Sequence, residues 1–475
     1  MQLLLLLLAV SGAALSLAGL AFGVRWLSLA GAAVAIGATA VQYFVGDGRA
    51  ADPADGTSAA GGEEGPADPA VAAAASRRAR RAKLLPLGLA FATALVYFFS
   101  NPRPQNYFDY TFRIAGALLD GRTGLVEQPP SWLNEMVPHG GRFYSVFPLG
   151  GVLSMLPVAI LQRAGLVETF PASLVAAAVA GATSLLLFLV SLRYDLTRVK
   201  RLLLVVFMSF GTWAWCNLSY GGSWQIALGL AVAGQLGALY YTLVRPRPVT
   251  AGIFFALAFG NRTEIVLLAP VFMYLACRDS LKSPRDIKAQ WPTLLKFSAV
   301  PFLIGAATLA YNYSRFGSPF DFGYARIPGV LDEPWYRDGL FSLSAVPRNA
   351  RAMLFEPWRV TDSYPYLIPR AFGGSIFLAS PLLLLLFRRG ARAFDLKLVA
   401  WLAVALLTAV LWLHGNPGGW QFSYRYAMVL LPWMFLILLE TGPRHATAAE
   451  TALAAASVAA NAYATYLYHW TDHVR

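Results

Sequence analysis

The sequence predicts an all-α polytopic membrane protein, a bundle of about 13 membrane segments with a large outer loop carrying interfacial helices. Three observations predict it. Of the 475 residues, 57% are hydrophobic and 13% charged, where soluble domains carry roughly 25% charged residues. The apolar residues gather into repeated continuous runs of about 17–22 residues, the length that crosses a bilayer, and they do not alternate as barrel strands do. The net charge of +13 is held in short basic tracts between those runs, the bias that marks cytoplasmic loops. That placement argues against nucleic acid as a partner and for the lipid bilayer.

Residues 1–45 hold two apolar runs in close succession with no basic residue before the first. They read as an uncleaved transmembrane hairpin rather than a signal peptide. Residues 46–76, rich in Gly, Ala, Asp and Pro, lack hydrophobic periodicity and read as a disordered linker. The basic cluster RRARRAK (77–83) closes that linker on the cytoplasmic side, so 46–83 form one unit. The span 84–100 then leads outward, and an outer loop covers 101–170. Within it, 147–166 begins FPLGG and contains Pro157. If this segment crossed, the basic tract RYDLTRVKR (193–201) would lie outside. It is therefore expected to rest in the outer interface, and 171–192 crosses alone.

The span 202–220 goes out and 224–244 returns to RPRP (245–248). Segment 251–277 has basic residues on both sides and is broken by GNRTE (260–264). It is expected to form a hairpin of two short helices with Arg262 and Glu264 near its tip, a break tolerated where it lines a cavity. Then follow 294–310 outward, a second outer region at 311–370, 371–387 inward, 398–413 outward, 427–439 inward and 448–466 outward. The two cysteines, Cys216 and Cys277, fall near opposite faces and are not expected to pair, and no His/Cys spacing suits a metal.

The chemistry-bearing residues gather on the outer side. Asp109 lies just beyond an apolar span, where a general base working at a membrane surface would sit. As a helix cap or surface ion pair it would be ordinary. Tyr144 in GRFYSVFPLG can hydrogen-bond a phosphate or a sugar, among aromatic neighbours that read as interfacial anchors. Arg262 and Glu264 are intramembrane charges and so a functional-site hypothesis by default. Arg262 suits bidentate phosphate binding, and Glu264 either neutralises it or meets substrate. HGNPGGWQFSYRY (414–426) crowds His414, Trp420, Tyr424 and Arg425 together, with Arg425 a second phosphate contact. No nucleotide loop and no metal cluster stands out, and no cofactor is expected.

These segments, in this order, resemble the GT-C superfamily of membrane glycosyltransferases, in particular bacterial relatives of the dolichyl-phosphate-mannose mannosyltransferases and the aminoarabinose transferases. The resemblance spans about residues 84–440. It rests on YFDYTF around Asp109, GRFYSVFPLGGVLSMLP, SFGTWAW, LAFGNRTEIVLLAP, YNYSRFGSP followed by FGY, and GGWQFSYRYAMVLLP. It implies that 84–475 is a transmembrane catalytic domain performing an inverting transfer at the extracytoplasmic face of the cell membrane. The donor would be a polyprenyl-phosphate sugar and the acceptor a hydroxyl on a glycan, lipid or protein. Asp109 would deprotonate that hydroxyl, while Arg425 and Arg262 would stabilise the departing phosphate. Family members often carry a second acid next to the first; here Tyr110 stands in that place. The reading from another class is a transporter or lipid flippase for a glycolipid, since broken helices with mid-membrane charge also mark transport sites.

Overall fold

The computed structural model describes residues 69–103, 108–280 and 288–474. The expected N-terminal hairpin and the first part of the linker lie outside the described residues. Helix α1 (Pro69–Ser100) corrects the rest of the linker. It opens inside the stretch expected to be disordered and runs through the basic cluster without a break. The reason is local: Pro69 pre-sets the first helical φ, and an Ala run followed by Arg and Lys consists of strong helix formers.

Next come α2 (Tyr110–Leu119), strands β1 (Met136–His139) and β2 (Arg142–Ser145), α3 (Leu149–Leu153), α4 (Leu156–Arg163), α5 (Ala172–Ser191), α6 (Arg198–Phe210), α7 (Ala214–Ser219) and α8 (Ser223–Leu243). After them lie α9 (Pro248–Asn261), a 3-10 turn at Thr263–Leu268, α10 (Ala269–Cys277) and α11 (Trp291–Phe316). The chain ends with α12 (Val346–Leu354), strands β3 (Arg359–Val360) and β4 (Leu367–Ile368), α13 (Ile376–Ala379), α14 (Phe394–Leu413), α15 (Leu431–Thr441) and α16 (Ala448–Trp470).

The chain is thus mostly helical. Four described helices are long and apolar enough to cross a membrane: α5, α8, α11 with its preceding residues, and α14. The other expected segments are shorter or broken. Segment 202–220 splits at Gly211 into α6 and α7, 371–387 is a four-residue helix plus a 3-10 stretch, and 427–439 starts as a 3-10 turn. Segment 147–166 is two helices of five and eight residues, each too short to cross on its own.

Helix α8 is the centre. It is apolar all round and buried along most of its length, the pattern of a helix enclosed by others. Helices α5, α7, α9, α10 and α15 surround it. Helix α11 lies at the edge and presents Phe302 and Leu303, 78% and 65% exposed, to the surroundings. Leu398 and Leu402 of α14 are also exposed, apolar surface of the kind that lipid covers.

Two ends of the bundle differ. At one end, buried Lys200 of α6 and Arg388 both pair with the buried Glu450 of α16. Nearby Glu440 of α15 accepts from the Tyr194 hydroxyl at 2.6 Å and the Ala393 N–H at 2.7 Å. The other end holds the β1–β2 hairpin, which an all-α expectation did not contain. His139 pairs with Arg142 across Gly140 and Gly141, whose φ of +55° and +74° need glycine in a tight two-residue turn. The His-Gly-Gly-Arg run was the available signal.

Candidate active site

The end with the β1–β2 hairpin carries an open cavity of about 850 Å³. Its floor is the tip of the α9–α10 hairpin. Helix α9 ends at Asn261, Arg262 is extended, and the 3-10 turn begins at Thr263. Arg262 and Glu264 both line the cavity. The Arg262 Nε and Nη2 each lie 2.8 Å from Glu264 Oε1, and the guanidinium stacks 5.0 Å over the Tyr426 ring. The expected break at GNRTE is therefore present, with its two charges paired at the tip.

Gly150 of α3 sets the loop on that tip. A Cβ at Gly150 would fall 2.5 Å from Gly260 Cα and its carbonyl oxygen, so the two backbones touch with no side chain between them. Asn261 donates Nδ2 to Ser154 Oγ at 3.0 Å, a second tie between hairpin and loop. From the other side, Arg315 at the end of α11 donates to the Ser145 carbonyl at 2.5 Å, holding β2.

The wall opposite Arg262 carries Glu135, which the sequence reading missed. Trp224, in the first turn of α8, donates its indole N–H to Glu135 Oε2 at 2.7 Å. The tryptophan is fixed because α8 begins stitched to α2: Ser223 N–H bonds the Phe108 carbonyl at 2.9 Å, and Thr111 N–H bonds Ser223 Oγ at 3.3 Å. Tyr110 bears on both groups. Its ring packs on Trp224 at 5.2 Å, and its hydroxyl donates to Asn134 Oδ1 at 3.1 Å and accepts the Glu135 N–H at 3.4 Å. Burial raises the Glu135 carboxyl to about 7, against the opposing pull of the Trp224 bond and the Arg425 charge. That places it where a general base is most effective at neutral pH.

Arg425 lies between the rings of Trp224 and Tyr426, at 5.7 and 5.2 Å. It is 6% exposed. Its Nη1 bonds the Trp420 carbonyl at 3.2 Å, and its buried Nε has no partner. Among the described residues no carboxylate lies within ion-pair distance of it. A buried cation in this state is costly unless an anion joins it. His414 also lines the cavity; burial and the Arg262 charge hold its imidazole below the usual range.

Five sequence candidates are absent from the cavity lining among the described residues: Arg425, which stands beside it, and four that fall elsewhere. Asp109 precedes α2 and binds Arg113 at 2.7 Å, one helical turn on; burial raises its carboxyl and Arg113 pulls it back. It is absent from the cavity lining among the described residues. Tyr144 is buried in a separate apolar cluster, its ring 5.5 Å from Phe316. Trp420 packs between Phe372 and Tyr468. Tyr424 is fully buried and spends its hydroxyl on the Leu411 carbonyl at 3.3 Å. Large aromatics beside a site are often its supporting wall, and these three are packing residues. Cys216 and Cys277 are both unpaired thiols. Among the described residues no group of three His, Cys, Asp or Glu side chains is placed to hold a metal ion.

No family model, no curated protein and no solved structure matches this chain.

Proposed function

We propose that the protein is an inverting glycosyltransferase of the cell membrane. It moves a sugar from a polyprenyl-phosphate donor to a hydroxyl acceptor at the extracytoplasmic face. The observation that carries this reading is a cavity lined by both Glu135, a carboxyl poised near neutrality, and Arg262, with the Arg425 charge acting on Glu135 from between the Trp224 and Tyr426 rings. Glu135 takes the acceptor proton. The acceptor oxygen attacks the anomeric carbon, and the bond from that carbon to the phosphate oxygen breaks. Arg262 meets the charge that develops on the leaving phosphate, and Arg425 adds its charge from between the Trp224 and Tyr426 rings. Exposed Val266, Leu267, Phe320 and Phe341 border the same cavity and offer an apolar path for the prenyl chain. In this scheme the base is Glu135, and Asp109 supports α2 through Arg113.

The test is transfer from radiolabelled polyprenyl-phosphate sugars by purified protein in lipid nanodiscs, with membrane extract supplying the acceptor. Glu135→Gln should bind donor and transfer at least about a hundredfold more slowly. The broken hairpin with Arg262 at its tip favours a second reading, a glycolipid transporter. That reading gains if donor lipid is flipped across vesicles and Glu135→Gln leaves flipping unchanged.

A further inference from the structure

His414 follows the last turn of α14 and is held from every side. Its N–H bonds the Val410 carbonyl at 3.1 Å, and its own carbonyl accepts Asn349 Nδ2 at 2.7 Å. The next N–H, of Gly415, bonds the Leu340 carbonyl at 2.8 Å. The ring is fixed as firmly. Nδ1 lies 2.8 Å from the Asn416 carbonyl oxygen. A carbonyl only accepts, so in the neutral ring Nδ1 carries the proton and Nε2 is a bare lone pair. Among the described residues Nε2 has no hydrogen-bond partner. Rings of Tyr324, Tyr336, Phe341 and Tyr426 surround the imidazole, with centroids 5.5–6.1 Å away. This is a pre-organised acceptor set in an aromatic cage on a ligand cavity.

We propose that His414 is the specificity residue of the site and that its Nε2 accepts a hydrogen bond from a neutral hydroxyl of the transferred sugar. The proposal rests on the glycosyltransferase reading and narrows it to an uncharged sugar. An ammonium group could donate to the same lone pair. However, the cage already holds one cation, Arg262, on the Tyr426 face. The nearest carboxylate, Glu264, is taken by that same Arg262 at 2.8 Å. Of the other carboxylates lining the cavity, Asp321 is paired with Arg326 at 2.7 Å and Glu135 is the base of the reaction, so a second cation would find no free counter-charge, whereas a hydroxyl needs none. A site built to hydrogen-bond a hydroxyl also rejects the analogue that lacks it, because its own polar group is then left unpaired.

The experiment is competition binding to the full-length protein in nanodiscs. The probes are tritiated polyprenyl-phosphate mannose, polyprenyl-phosphate glucose, singly deoxygenated analogues of each, and polyprenyl-phosphate aminoarabinose. The proteins are wild type, His414→Phe and His414→Gln. For wild type, one deoxy position should weaken binding about tenfold. His414→Phe should show the same loss with the parent lipid and no further loss with that analogue. His414→Gln, whose amide oxygen accepts, should recover most of the affinity. The amino-sugar lipid should bind at least tenfold more weakly than the best neutral one. Losses that add in His414→Phe, or a preference for the amino sugar, overturn the role of His414 while the transferase reading stands. A wild type that binds none of these lipids overturns both.

Discussion

Trp224 and Glu135 stand 89 positions apart in the chain and 2.7 Å apart in space. The contact joins the central helix of the bundle to a loop that has little regular structure of its own. It also sets the loop's chemistry. Burial drives the carboxyl upward, and the indole N–H, which favours the ionised form, draws it back to about 7. A rigid scaffold thereby tunes a group that lies outside it.

Turnover should track that balance. In wild type, kcat/KM for transfer should climb as pH rises through about 7, where Glu135 loses its proton, and Glu135→Gln should lower kcat roughly 10²–10⁴-fold. Trp224→Phe removes a bond that favours the carboxylate, so the rising limb should move to higher pH, by about one unit. A pH–rate profile of the three proteins measures this. A Trp224→Phe limb displaced to lower pH would contradict the account.

Asp109→Asn makes the opposite point. Its carboxylate is engaged by Arg113 one turn away, so the loss should fall on α2, at about 1 kcal/mol. Transfer per folded molecule should drop less than tenfold. Steady-state rates normalised to the folded fraction separate this from the far larger loss at Glu135.

Stability should depend on Glu135 in a definite direction. Its carboxyl rises from the ordinary 4.5 to about 7 on folding, so the native state holds the proton longer than the unfolded chain. Stability is therefore complete at low pH, falls as pH climbs between those two values, and stays at its lower level above them. Glu135→Gln escapes the loss. At pH 8 it should be more stable than wild type by about 1–3 kcal/mol, and at pH 4 indistinguishable from it. Thermal unfolding in detergent at both pH values tests the sign.

Gly150→Ala should damage the site from a distance. The added methyl meets Gly260 backbone at 2.5 Å, and neither backbone has a side chain that can swing aside. Overpacking of this kind costs about 1–3 kcal/mol, and the loop that carries Glu135 is displaced from the hairpin that carries Arg262. Donor binding and transfer should both fall, while Gly116→Ala, with open space at its Cβ, should change neither.

Glu450→Gln addresses the far end of the bundle. It strips the counter-charge from buried Lys200 and from Arg388 at once, a change worth about 3–5 kcal/mol. The unfolding midpoint should drop sharply, and the protein that remains folded should transfer sugar at the wild-type rate.

What could be read from the sequence followed the physics of each signal. The hairpin at GNRTE was legible because charge inside an apolar run has few explanations, and Arg262 and Glu264 do sit together at its tip. Arg425 opens a 3-10 turn, as its place before an apolar run suggested, but it stands beside the cavity rather than in its lining among the described residues. Glu135 was not, because a glutamate in a polar loop looks like any surface glutamate until the fold brings Trp224 to it. Asp109 drew attention by its place after a span, yet Arg113 at i+4 was in view and announced an ordinary helix ion pair. Tyr144, Trp420 and Tyr424 show why aromatic-rich loops mislead: the same rings that could cradle a sugar also build the wall behind it. Helix counting strained for another reason. Several apolar runs are long enough on paper, but Gly, Pro and Trp break them into pieces that only the packing reveals.

The first leg of the hairpin has a consequence for the bilayer around it. Helix α9 has 14 residues, so it rises about 21 Å, well short of a hydrocarbon layer about 30 Å thick. On the proposed membrane placement, starting from one surface, it would deliver Arg262 several ångströms below the other. A sugar phosphate must sink to meet it, or the lipid leaflet must thin to bring the headgroup level down. The turnover rate should therefore respond to acyl-chain length, rising in thin bilayers and falling in thick ones, so that the membrane's own thickness acts as a throttle on the reaction.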